Sequence, residues 1–528
     1  MKKNELMALA FLEGGLVMLL ETSSPLIVAP ILGHSIIIWA TMICLSIGAL
    51  ALGYFSGGYL SKKERSESFI VGLFGVNTLL LFLGWLMLSL QNSSGADLAT
   101  STFTWTIVGV VLFIPLLLFG ASTPLIVAHL HLQYGDNSSV VGKLYSISTM
   151  GGILFSLMAG YFFIPEIGIS NTLLTAIILT SLFPILFYTR QKQYKLAVPL
   201  LVLGITSIFL AQRDFKLPNK DDFKVKYFSE SINGQLIVAD FEMNDQPNRI
   251  LFINRMGQTW VKGEKNSNIA TRGQSQWPYV NYVTAAADIY PEGSKSLILG
   301  LGGGIVPKQL VNYTQHNVDA VELDERIIDI SKNYFGLKGS RVKMYADDAR
   351  RYIKNSKKKY NFILFDIFNG EILPSHGLSL EAFQDVQKIL DDNGLIVVNF
   401  NGFLSGKEGL PGRSLIRTMQ KAGFKVKLFD TSAGDQAEED RNLLYLAYLK
   451  EPSWDSADIH VRLAEGEHKI GEHLIDPSTI DLADAIIIQD DLPVMEYINI
   501  YAAKSWRKSY LENFTLKFKK EQGLPLIK

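Results

Sequence analysis

The chain has 528 residues, which is enough for roughly two to four domains. Its formal net charge is −1, so no overall electrostatic field favours nucleic acid, and we expect no nucleic-acid partner. The single cysteine, Cys44, excludes an intramolecular disulfide and is predicted to be a small packed apolar residue.

Apolar residues crowd the N-terminal part of the chain, in about seven runs that approach the roughly 20 residues a membrane-spanning helix needs. So many consecutive runs with few charges would not stay soluble. Residues 1–211 are therefore predicted to form a polytopic α-helical transmembrane bundle, with a lipid bilayer as its surroundings. The runs are Leu6–Leu32, Ile36–Leu60, Phe69–Leu90, Phe103–Leu130, Leu144–Phe163, Leu173–Tyr188 and Leu196–Ala211.

Two acids lie within the first apolar run. A carboxylate at membrane depth is costly and usually faces a bundle interior or a polar cavity. Glu13 could instead lie near an interface. Glu21 is followed by Thr-Ser-Ser-Pro, which is typical of a broken helix with a polar pocket, and its role is left open.

The composition changes at Gln212, and residues 212–262 are predicted to form a linker and a small β region. Two β-rich stretches, Gln235–Phe241 and Arg249–Asn254, flank the turn-forming Asn244-Asp245, which indicates a hairpin. A helical segment near Trp277–Tyr290 follows, and residues 263–528 are predicted to form the last domain.

A short apolar strand at Ser296–Leu299 runs directly into a glycine loop that contains Gly300, Gly302 and Gly304. Glycine allows a tight turn and a close approach of the backbone to a ligand. A helical segment and a second buried strand follow, and that strand ends at Glu322, about 20 residues after Gly300. This is the spacing at which a strand-end carboxylate meets ribose hydroxyls, so the unit predicts a nucleoside site.

Further strands at Val342–Tyr345, Asn361–Asp366 and Gly394–Asn399 alternate with helical segments such as Leu380–Leu390. This alternation predicts a parallel sheet with helices on both faces, that is, an α/β Rossmann-like domain. Ligands in such sheets bind at the carboxyl ends of the strands. Four residues that fall at these ends therefore predict a shared ligand crevice, and no metal site is predicted: Gly302, Glu322, Asp348 and Asp366.

At this point the sequence resembles the spermidine synthase family, and more closely its membrane-fused, spermidine-synthase-like bacterial members. The resemblance covers nearly the whole chain, and its C-terminal half implies a fold of the class I methyltransferase type. The stretches that carry it are FLEGGLVMLLE, GASTPLIVAHL, LGLGGG, VELDERIIDIS, DDARRYI, FDIFNGEILPSHGLSLEAF and QDDLPVMEY.

The resemblance implies a transferase that moves an aminopropyl group from decarboxylated S-adenosylmethionine to a small-molecule amine and releases methylthioadenosine. It implies no covalently bound cofactor, and it implies a bacterial inner membrane as the location. A homodimer is a further expectation. The glycine loop would hold the donor, Gln258 would touch its nucleoside, Glu322 its ribose, and Asp348 with Ala349 its adenine. Carboxylates suit these contacts because they accept hydrogen bonds from ribose O–H and adenine N–H groups.

The sequence departs from the family on the side of the site that would hold the amine. Asp366 matches the first acid of the catalytic stretch, but Asn369 occupies the position of the second acid, the amine-orienting base. An amide is a very poor base, so Asp366 and His376 are the candidate proton acceptors. Four more acids of the family pattern are replaced here, by Ser275, Gln276, Asn281 and Gly303.

These departures leave enzymatic activity and the acceptor open. One alternative is a methyltransferase that uses S-adenosylmethionine itself. Another is a membrane transporter or sensor with a non-catalytic nucleoside-binding domain. Asp490 and Asp491, before Pro493, could close over the site or form a solvated turn.

The side of the membrane is also open. Basic residues at the N-terminus and after the second and sixth runs fall on one side, which the positive-inside rule makes cytoplasmic. Seven complete spans would then place the C-terminal half outside, whereas a domain that uses an adenosyl donor is expected in the cytoplasm.

Overall fold

The structure is a computed structural model of the chain, and it divides into two compact units. Unit 1 comprises Met1–Lys220, Tyr227–Ile237 and Thr515–Lys528, and unit 2 comprises Asp221–Lys226 and Val238–Phe514. The structure describes residues 1–528 except 34, 64–65, 95–100, 135–137, 214–218, 221–222, 232, 266, 369–372, 432–440, 453–459, 464–465, 470–473 and 518–528.

Unit 1 contains a bundle of long apolar helices. Two π-helical segments, Gly109–Phe113 and Ala159–Ile167, lead into the fifth and seventh helices. The helices are α1 (Lys3–Leu32), α2 (Ile36–Leu60), α3 (Glu67–Ser94), α4 (Ser101–Val108), α5 (Ile114–Tyr134), α6 (Ser138–Met158), α7 (Gly168–Arg190) and α8 (Tyr194–Gln212).

Six helical stretches among the described residues are long and apolar enough to cross a membrane. One of them, Ser138–Arg190, covers two of the apolar runs in the sequence, so the expectation of about seven spans stays a prediction. Cys44 was expected to be packed, but it is exposed. The reason is that α2 buries only a narrow stripe of its surface, and Cys44 lies outside that stripe.

Small residues allow the helices of unit 1 to approach closely. A Cβ atom on Gly151 of α6 would overlap the carbonyl oxygen of Phe11 in α1, and one on Gly57 of α2 would overlap that of Ala121 in α5. Such contacts between helix backbones need glycine at the crossing point. The glycine pattern of the apolar runs therefore has a packing role.

Glu13 lies in the interior of the bundle and not at its surface, with 3% of the residue exposed. Its two carboxylate oxygens accept hydrogen bonds from the hydroxyls of Thr123 in α5, at 3.0 Å, and Ser148 in α6, at 3.2 Å. Glu21, two turns further along α1, is half-buried.

Six strands follow the helices in sequence and form one sheet in the order β1-β2-β3-β4-β5-β6, larger than the predicted small hairpin. Asn244 and Asp245 connect β3 to β4 with φ of 53° and 57°, and Asn254 and Arg255 connect β4 to β5 with φ of 47° and 67°. Positive φ at both central residues is the requirement of a type I′ turn. The strands are β1 (Asn219–Lys220), β2 (Phe223–Ser231), β3 (Gly234–Met243), β4 (Gln246–Ile253), β5 (Met256–Lys262) and β6 (Gln274–Ser275).

The rest of unit 2 is built on an eight-stranded sheet of order β16-β12-β13-β11-β10-β7-β8-β9. Strands β11, β10, β7, β8 and β9 are parallel, and β13 runs antiparallel to β11 and β12. The strands are β7 (Lys295–Leu299), β8 (Asn317–Glu322), β9 (Val342–Ala346), β10 (Tyr360–Phe365), β11 (Leu390–Gly402), β12 (Lys425–Asp430), β13 (Arg441–Tyr448) and β16 (Leu474–Ile475), with a separate pair β14 (His460–Leu463) and β15 (Gly466–Lys469).

Helices connect and cover these strands, and the buried side chains of one sheet face form an apolar core with them. The helices are α9 (Ile269–Arg272), α10 (Tyr279–Ala287), α11 (Ile305–Gln309), α12 (Glu325–Asn333), α13 (Ala349–Asn355), α14 (Leu380–Ile389), α15 (Leu410–Lys421), α16 (Met495–Ile498) and α17 (Ile500–Lys517).

The strand order reverses at β7, which has β8 on one side and β10 on the other. In open α/β sheets the ligand crevice lies outside the carboxyl ends of the strands at such a reversal. The topology therefore predicts a ligand site at the loops that follow β7, β8 and β10.

Candidate active site

The glycine loop that follows β7 has backbone angles that favour glycine. Gly300, Gly302 and Gly304 have φ of 90°, 51° and 74°. A Cβ atom on Gly300 would overlap the carbonyl oxygen of Asp366, because the loop passes directly against the end of β10. Gly304 is the residue before α11. The glycines therefore permit both the tight turn and the contact between two strand ends.

Glu322 ends β8 beside this loop. One carboxylate oxygen accepts from the backbone N–H of Leu301, at 3.0 Å, and the other from that of Asp324, also at 3.0 Å. Burial raises the pKa of Glu322 above its ordinary value, and the backbone N–H donors oppose that rise. The acid is thus held against the glycine loop, with 9% of the residue exposed.

Gln258 lies in β5, next to a residue that bonds the glycine loop. The hydroxyl of Thr259 accepts a hydrogen bond from the backbone N–H of Gly303 at 2.8 Å. A Cβ atom on Gly303 would lie 2.6 Å from the Thr259 methyl group and 3.0 Å from the Phe335 ring. The space that an acid at position 303 would need is therefore filled by two other side chains.

Asp348 follows β9 and caps α13, where its side chain accepts from the backbone N–H of Arg351 at 2.8 Å. Ala349 is the first residue of that helix. The other carboxylate oxygen of Asp348 lies 3.2 Å from Nε2 of His376. His376 thus contacts the acid expected to bind adenine, and its hydrogen bond is not to Asp366.

Asp366 follows β10 directly and is fixed by two neutral donors. One carboxylate oxygen accepts from the amide of Asn399 at 2.7 Å, and the other from the hydroxyl of Tyr279 at 3.0 Å. Burial raises the pKa of Asp366, while these two hydrogen bonds lower it. Burial and the neighbouring carboxylate also raise the pKa of Tyr279 well above its ordinary range, so Tyr279 stays a donor. Asn369 lies outside the described residues.

Asn399 was not among the expected site residues. It lies on β11 with its side chain directed to Asp366, and its amide oxygen is buried without a hydrogen-bond partner among the described residues. The sequence offered one signal for it, because Asn399 was the polar end of a predicted strand, as Glu322 and Asp366 were.

Ser275 and Asn281, which are expected to replace family acids, bond to neutral groups. The Ser275 hydroxyl donates to the carbonyl of Trp277 at 3.2 Å, and the Asn281 side chain accepts from Gln309 at 3.4 Å. Among the residues that the structure describes, no group of three or more histidine, cysteine and acidic side chains could hold a metal ion. The hydrogen-bond partners of Asp366 itself, Tyr279 and Asn399, are also neutral.

Asp490 is bound within the fold. Its carboxylate accepts from the Ser379 hydroxyl at 2.5 Å and pairs with buried Arg350 at 3.2 Å, while its backbone N–H donates to Glu381 at 2.9 Å. Asp491 is exposed. Residues 486–492 are thus attached to the start of α14 through Asp490, which gives this acid a structural role.

Comparison with known proteins identifies a family that this chain resembles. The spermine/spermidine synthase domain matches residues 283–429. A polyamine aminopropyltransferase of Vibrio vulnificus (strain CMCP6) is 37% identical over 128 residues, which is 23% of this chain and 43% of that protein. Polyamine aminopropyltransferase 2 of Aquifex aeolicus (strain VF5) is 21% identical over 406 residues, 75% of this chain and 78% of that protein.

Among solved structures, a probable spermidine synthase from Corynebacterium glutamicum ATCC 13032 is 19% identical, with a TM-score of 0.37, over 46% of this chain and 83% of that one. The chain spans less than half the length of the Vibrio relative. The domain match begins within α10 and ends within β12, so it contains the glycine loop, Glu322, Asp348 and Asp366. Residues 283–429 therefore match a spermine/spermidine synthase domain, and the chain is similar in sequence to polyamine aminopropyltransferases.

Proposed function

We propose that this protein is a membrane-anchored aminopropyltransferase that uses decarboxylated S-adenosylmethionine as co-substrate and a small-molecule amine as acceptor. The observation that carries the proposal is the carboxylate of Asp366, held by Tyr279 and Asn399 at the end of β10 and in contact, through its backbone, with Gly300. This arrangement supports the proposal, because a carboxylate lies beside a loop suited to a nucleoside.

The proposed reaction needs no metal and no covalent intermediate. The lone pair of a neutral amine forms a bond to the methylene carbon attached to the sulfonium. The electrons of the broken carbon–sulfur bond return to sulfur, which leaves as neutral methylthioadenosine. The new ammonium then releases one proton to Asp366. In this scheme the protein mainly holds the amine in line with the carbon–sulfur bond and accepts the proton.

Two features of Asp366 suit this role. Both of its partners are neutral donors, so no cation lowers its basicity, and burial raises its pKa. The unpartnered amide oxygen of Asn399 supplies a second acceptor next to the carboxylate. An amine N–H would satisfy that buried oxygen, which otherwise costs free energy.

The donor side of the proposal assigns the ribose hydroxyls to Glu322, the adenine to Asp348 and Ala349, and further nucleoside contacts to Gln258. Glu322 accepts a hydrogen bond from Leu301 of the glycine loop, and Gln258 is next to Thr259, which bonds Gly303 of that loop. A nucleoside held by the loop would therefore lie within reach of both. The role assigned to His376 is to hold Asp348 in position through the hydrogen bond between them.

The test is a calorimetric titration of the purified full chain with decarboxylated S-adenosylmethionine, S-adenosylmethionine and methylthioadenosine. We expect the decarboxylated donor to bind more tightly than the full one. Tighter binding of the full donor, with methyl transfer, would support the methyltransferase alternative. Binding without turnover on a panel of amines would support a sensor or transporter.

Glu322→Ala tests the ribose assignment in the same experiment. The variant should lose about tenfold or more in affinity for methylthioadenosine, because two ribose hydroxyls would lose a charged acceptor. Asp329→Ala, on the following helix, is the matched control and should bind as the wild type does. Unchanged affinity in Glu322→Ala would contradict the assignment.

A further inference from the structure

Unit 1 contains a buried carboxylate that the proposed transfer does not use. Glu13 of α1 lies in the interior of the helix bundle, with 3% of the residue exposed. One of its oxygens accepts from the Thr123 hydroxyl of α5 at 3.0 Å, and the other from the Ser148 hydroxyl of α6 at 3.2 Å. Each of the three residues lies about ten residues after the start of its helix. One acid and two hydroxyls from three helices therefore meet well inside the bundle.

Thr123 and Ser148 direct their hydroxyls to this acid and not to their own helices. Serine and threonine in a helix commonly donate to a carbonyl three or four residues earlier. Ser122, the neighbour of Thr123, does so and donates to the carbonyl of Phe119 at 2.7 Å. The two bonds to Glu13 thus connect separate helices, which indicates a polar site built around the acid.

Glu13 has no cationic partner among the residues that the structure describes, and both of its donors are uncharged hydroxyls. The charged and titratable side chains of α1 and of the helices around it supply no cation to the acid. In α1 and α7 these are Lys3 and Glu21, each two turns or more from Glu13, and Arg190, which pairs with Glu5. In the other helices they are exposed Lys143 and Glu166, the histidines His129 and His131 about two turns beyond Thr123, and the phenols of Tyr54 and Tyr145.

The packing beside Glu13 leaves little space for a ligand. A Cβ atom on Gly14 would lie 2.1 Å from the carbonyl oxygen of Ser148, and one on Gly152 would lie 3.4 Å from that of Gly14. The backbones of α1 and α6 therefore touch next to the acid. A divalent metal ion would need several more oxygen ligands, and an alkylammonium would need a cavity for its carbon chain. The cation that fits this contact is a proton.

We propose that Glu13 is a proton-binding site in the interior of unit 1, and that its carboxyl group holds a proton at neutral pH. An ionised carboxylate without a cation is costly in an apolar interior, and acids at membrane depth commonly mark proton relays. The proton comes from water and binds one carboxylate oxygen. The new O–H donates to the hydroxyl oxygen beside it, and that hydroxyl turns to a carbonyl of its own helix, as the Ser122 hydroxyl does. The site is independent of aminopropyl transfer and gives the bundle a binding function besides anchoring.

The first experiment is infrared difference spectroscopy on the full chain in detergent, wild type minus Glu13→Gln. A protonated carboxyl group has a C=O stretching band that a carboxylate lacks. We expect this band in the difference spectrum at neutral pH and its loss at high pH, when the proton leaves. The matched control is Glu21→Gln on the same helix, which should retain the band. Carboxylate bands at neutral pH in place of the C=O band would overturn the proposal, and loss of the band in Glu21→Gln would assign the proton to Glu21.

The same spectra, recorded in sodium chloride and in choline chloride, separate a proton from a metal cation. We expect the same C=O band in both salts, because a proton-specific site does not respond to sodium. Loss of the band in sodium chloride alone would show that sodium displaces the proton, and the proposed ligand would then be wrong.

The second experiment removes the hydroxyls one at a time. Thr123→Val or Ser148→Ala should shift the C=O band to higher frequency, in the variant whose hydroxyl donates to the carbonyl oxygen of the protonated acid. Ser122→Ala is the control, since the Ser122 hydroxyl bonds its own helix, and it should leave the band unchanged. Thermal unfolding in detergent verifies that each variant is folded. If the band keeps its frequency in both Thr123→Val and Ser148→Ala, the hydroxyls do not bind the carboxyl group and the proposed site is wrong.

Discussion

Asp366 is the residue on which the proposed chemistry depends, and an isosteric change tests it. Asp366→Asn keeps the shape of the side chain but removes the base, so kcat should fall by about 10²–10⁴. Donor binding should persist, because Glu322 and the glycine loop are untouched. Methylthioadenosine release measures the first effect and calorimetry the second. Equal activity in the variant would exclude Asp366 as the base.

The raised pKa of Asp366 also predicts a pH dependence. As a base it must be ionised, so kcat/KM should rise with pH through a pKa above the ordinary value of about 3.9 for aspartate. The same shift affects stability. The folded protein binds this proton more tightly than the unfolded chain, so its contribution to stability is present at low pH and is lost as pH rises through the folded pKa.

Asp366→Asn has no carboxyl group to titrate at this position, so it cannot lose that contribution to stability. The unfolding free energy of Asp366→Asn minus that of the wild type should therefore increase as pH rises from about 3 to 7. Denaturant unfolding at several pH values measures the difference, and a difference that does not change with pH would contradict the raised pKa.

Position 303 offers a second test at the scale of single residues. Gly303→Asp would introduce the acid that the resemblance implies at this position, but its Cβ would contact Thr259 and Phe335. We expect the substitution to lower the unfolding free energy by about 1–3 kcal/mol. Thr259→Ala in the same chain should recover part of this loss. A double-mutant cycle by denaturant unfolding measures the coupling, and strictly additive effects would show that the two positions do not compete for space.

Single residues also mark the limit of sequence-based prediction. Glycine spacing and strand-end acids were sufficient to predict that Gly300, Glu322 and Asp366 lie at the ends of strands, because these features follow from local backbone requirements. Thr259 and Trp506 could not be found in this way. Their contacts to Gly303 and Phe368 join segments far apart in sequence, and no local pattern encodes such contacts. Asn369, expected in place of the second acid, lies outside the described residues and stays a prediction.

At the scale of elements, the packing of α1 on α6 depends on glycine at their crossing. Gly151→Leu should lower the thermal stability of the full chain in detergent, because any side chain there meets the backbone of Phe11. Gly142→Leu on the same helix is the matched control, since a Cβ atom there would have no neighbour within 4 Å. Equal melting temperatures for the two variants would contradict this account of the crossing.

The attachment of the 486–492 segment to α14 gives another prediction. Asp490→Ala removes a partner of buried Arg350 and of Ser379, so it should cost about 1–3 kcal/mol of unfolding free energy. Its exposed neighbour Asp491 serves as the control, and Asp491→Ala should change stability by less than about 0.5 kcal/mol. Similar small effects for both would mean that Asp490 does not fasten the segment.

Helices and strands were largely predictable where the hydrophobic pattern of the sequence was strong. The strand expected to end at Glu322 is β8, Asn317–Glu322, and the helix expected at Leu380–Leu390 is α14, Leu380–Ile389. β11 is longer than expected and runs from Leu390 to Gly402, because its start is polar and lacks the apolar signature of a buried strand. The six-stranded sheet is larger than the hairpin predicted for this region, because its shorter strands carry little hydrophobic periodicity of their own.

At the scale of the whole molecule, two properties stay predictions: the side of the membrane and the homodimer. The adenosyl donor favours a cytoplasmic location of the C-terminal half, whereas basic loops combined with seven spans favour the outside. Protease treatment of oriented membrane vesicles distinguishes these. We expect digestion of the C-terminal half in inside-out vesicles and protection in right-side-out vesicles, and the reverse pattern would place the domain outside.

The most direct measurement for the whole account is product analysis by mass spectrometry, with purified full-length protein, decarboxylated S-adenosylmethionine and a mixture of amines. We expect equal amounts of methylthioadenosine and of one aminopropylated amine, with both absent for Asp366→Asn. A methylated product, or no methylthioadenosine despite saturating donor, would contradict it.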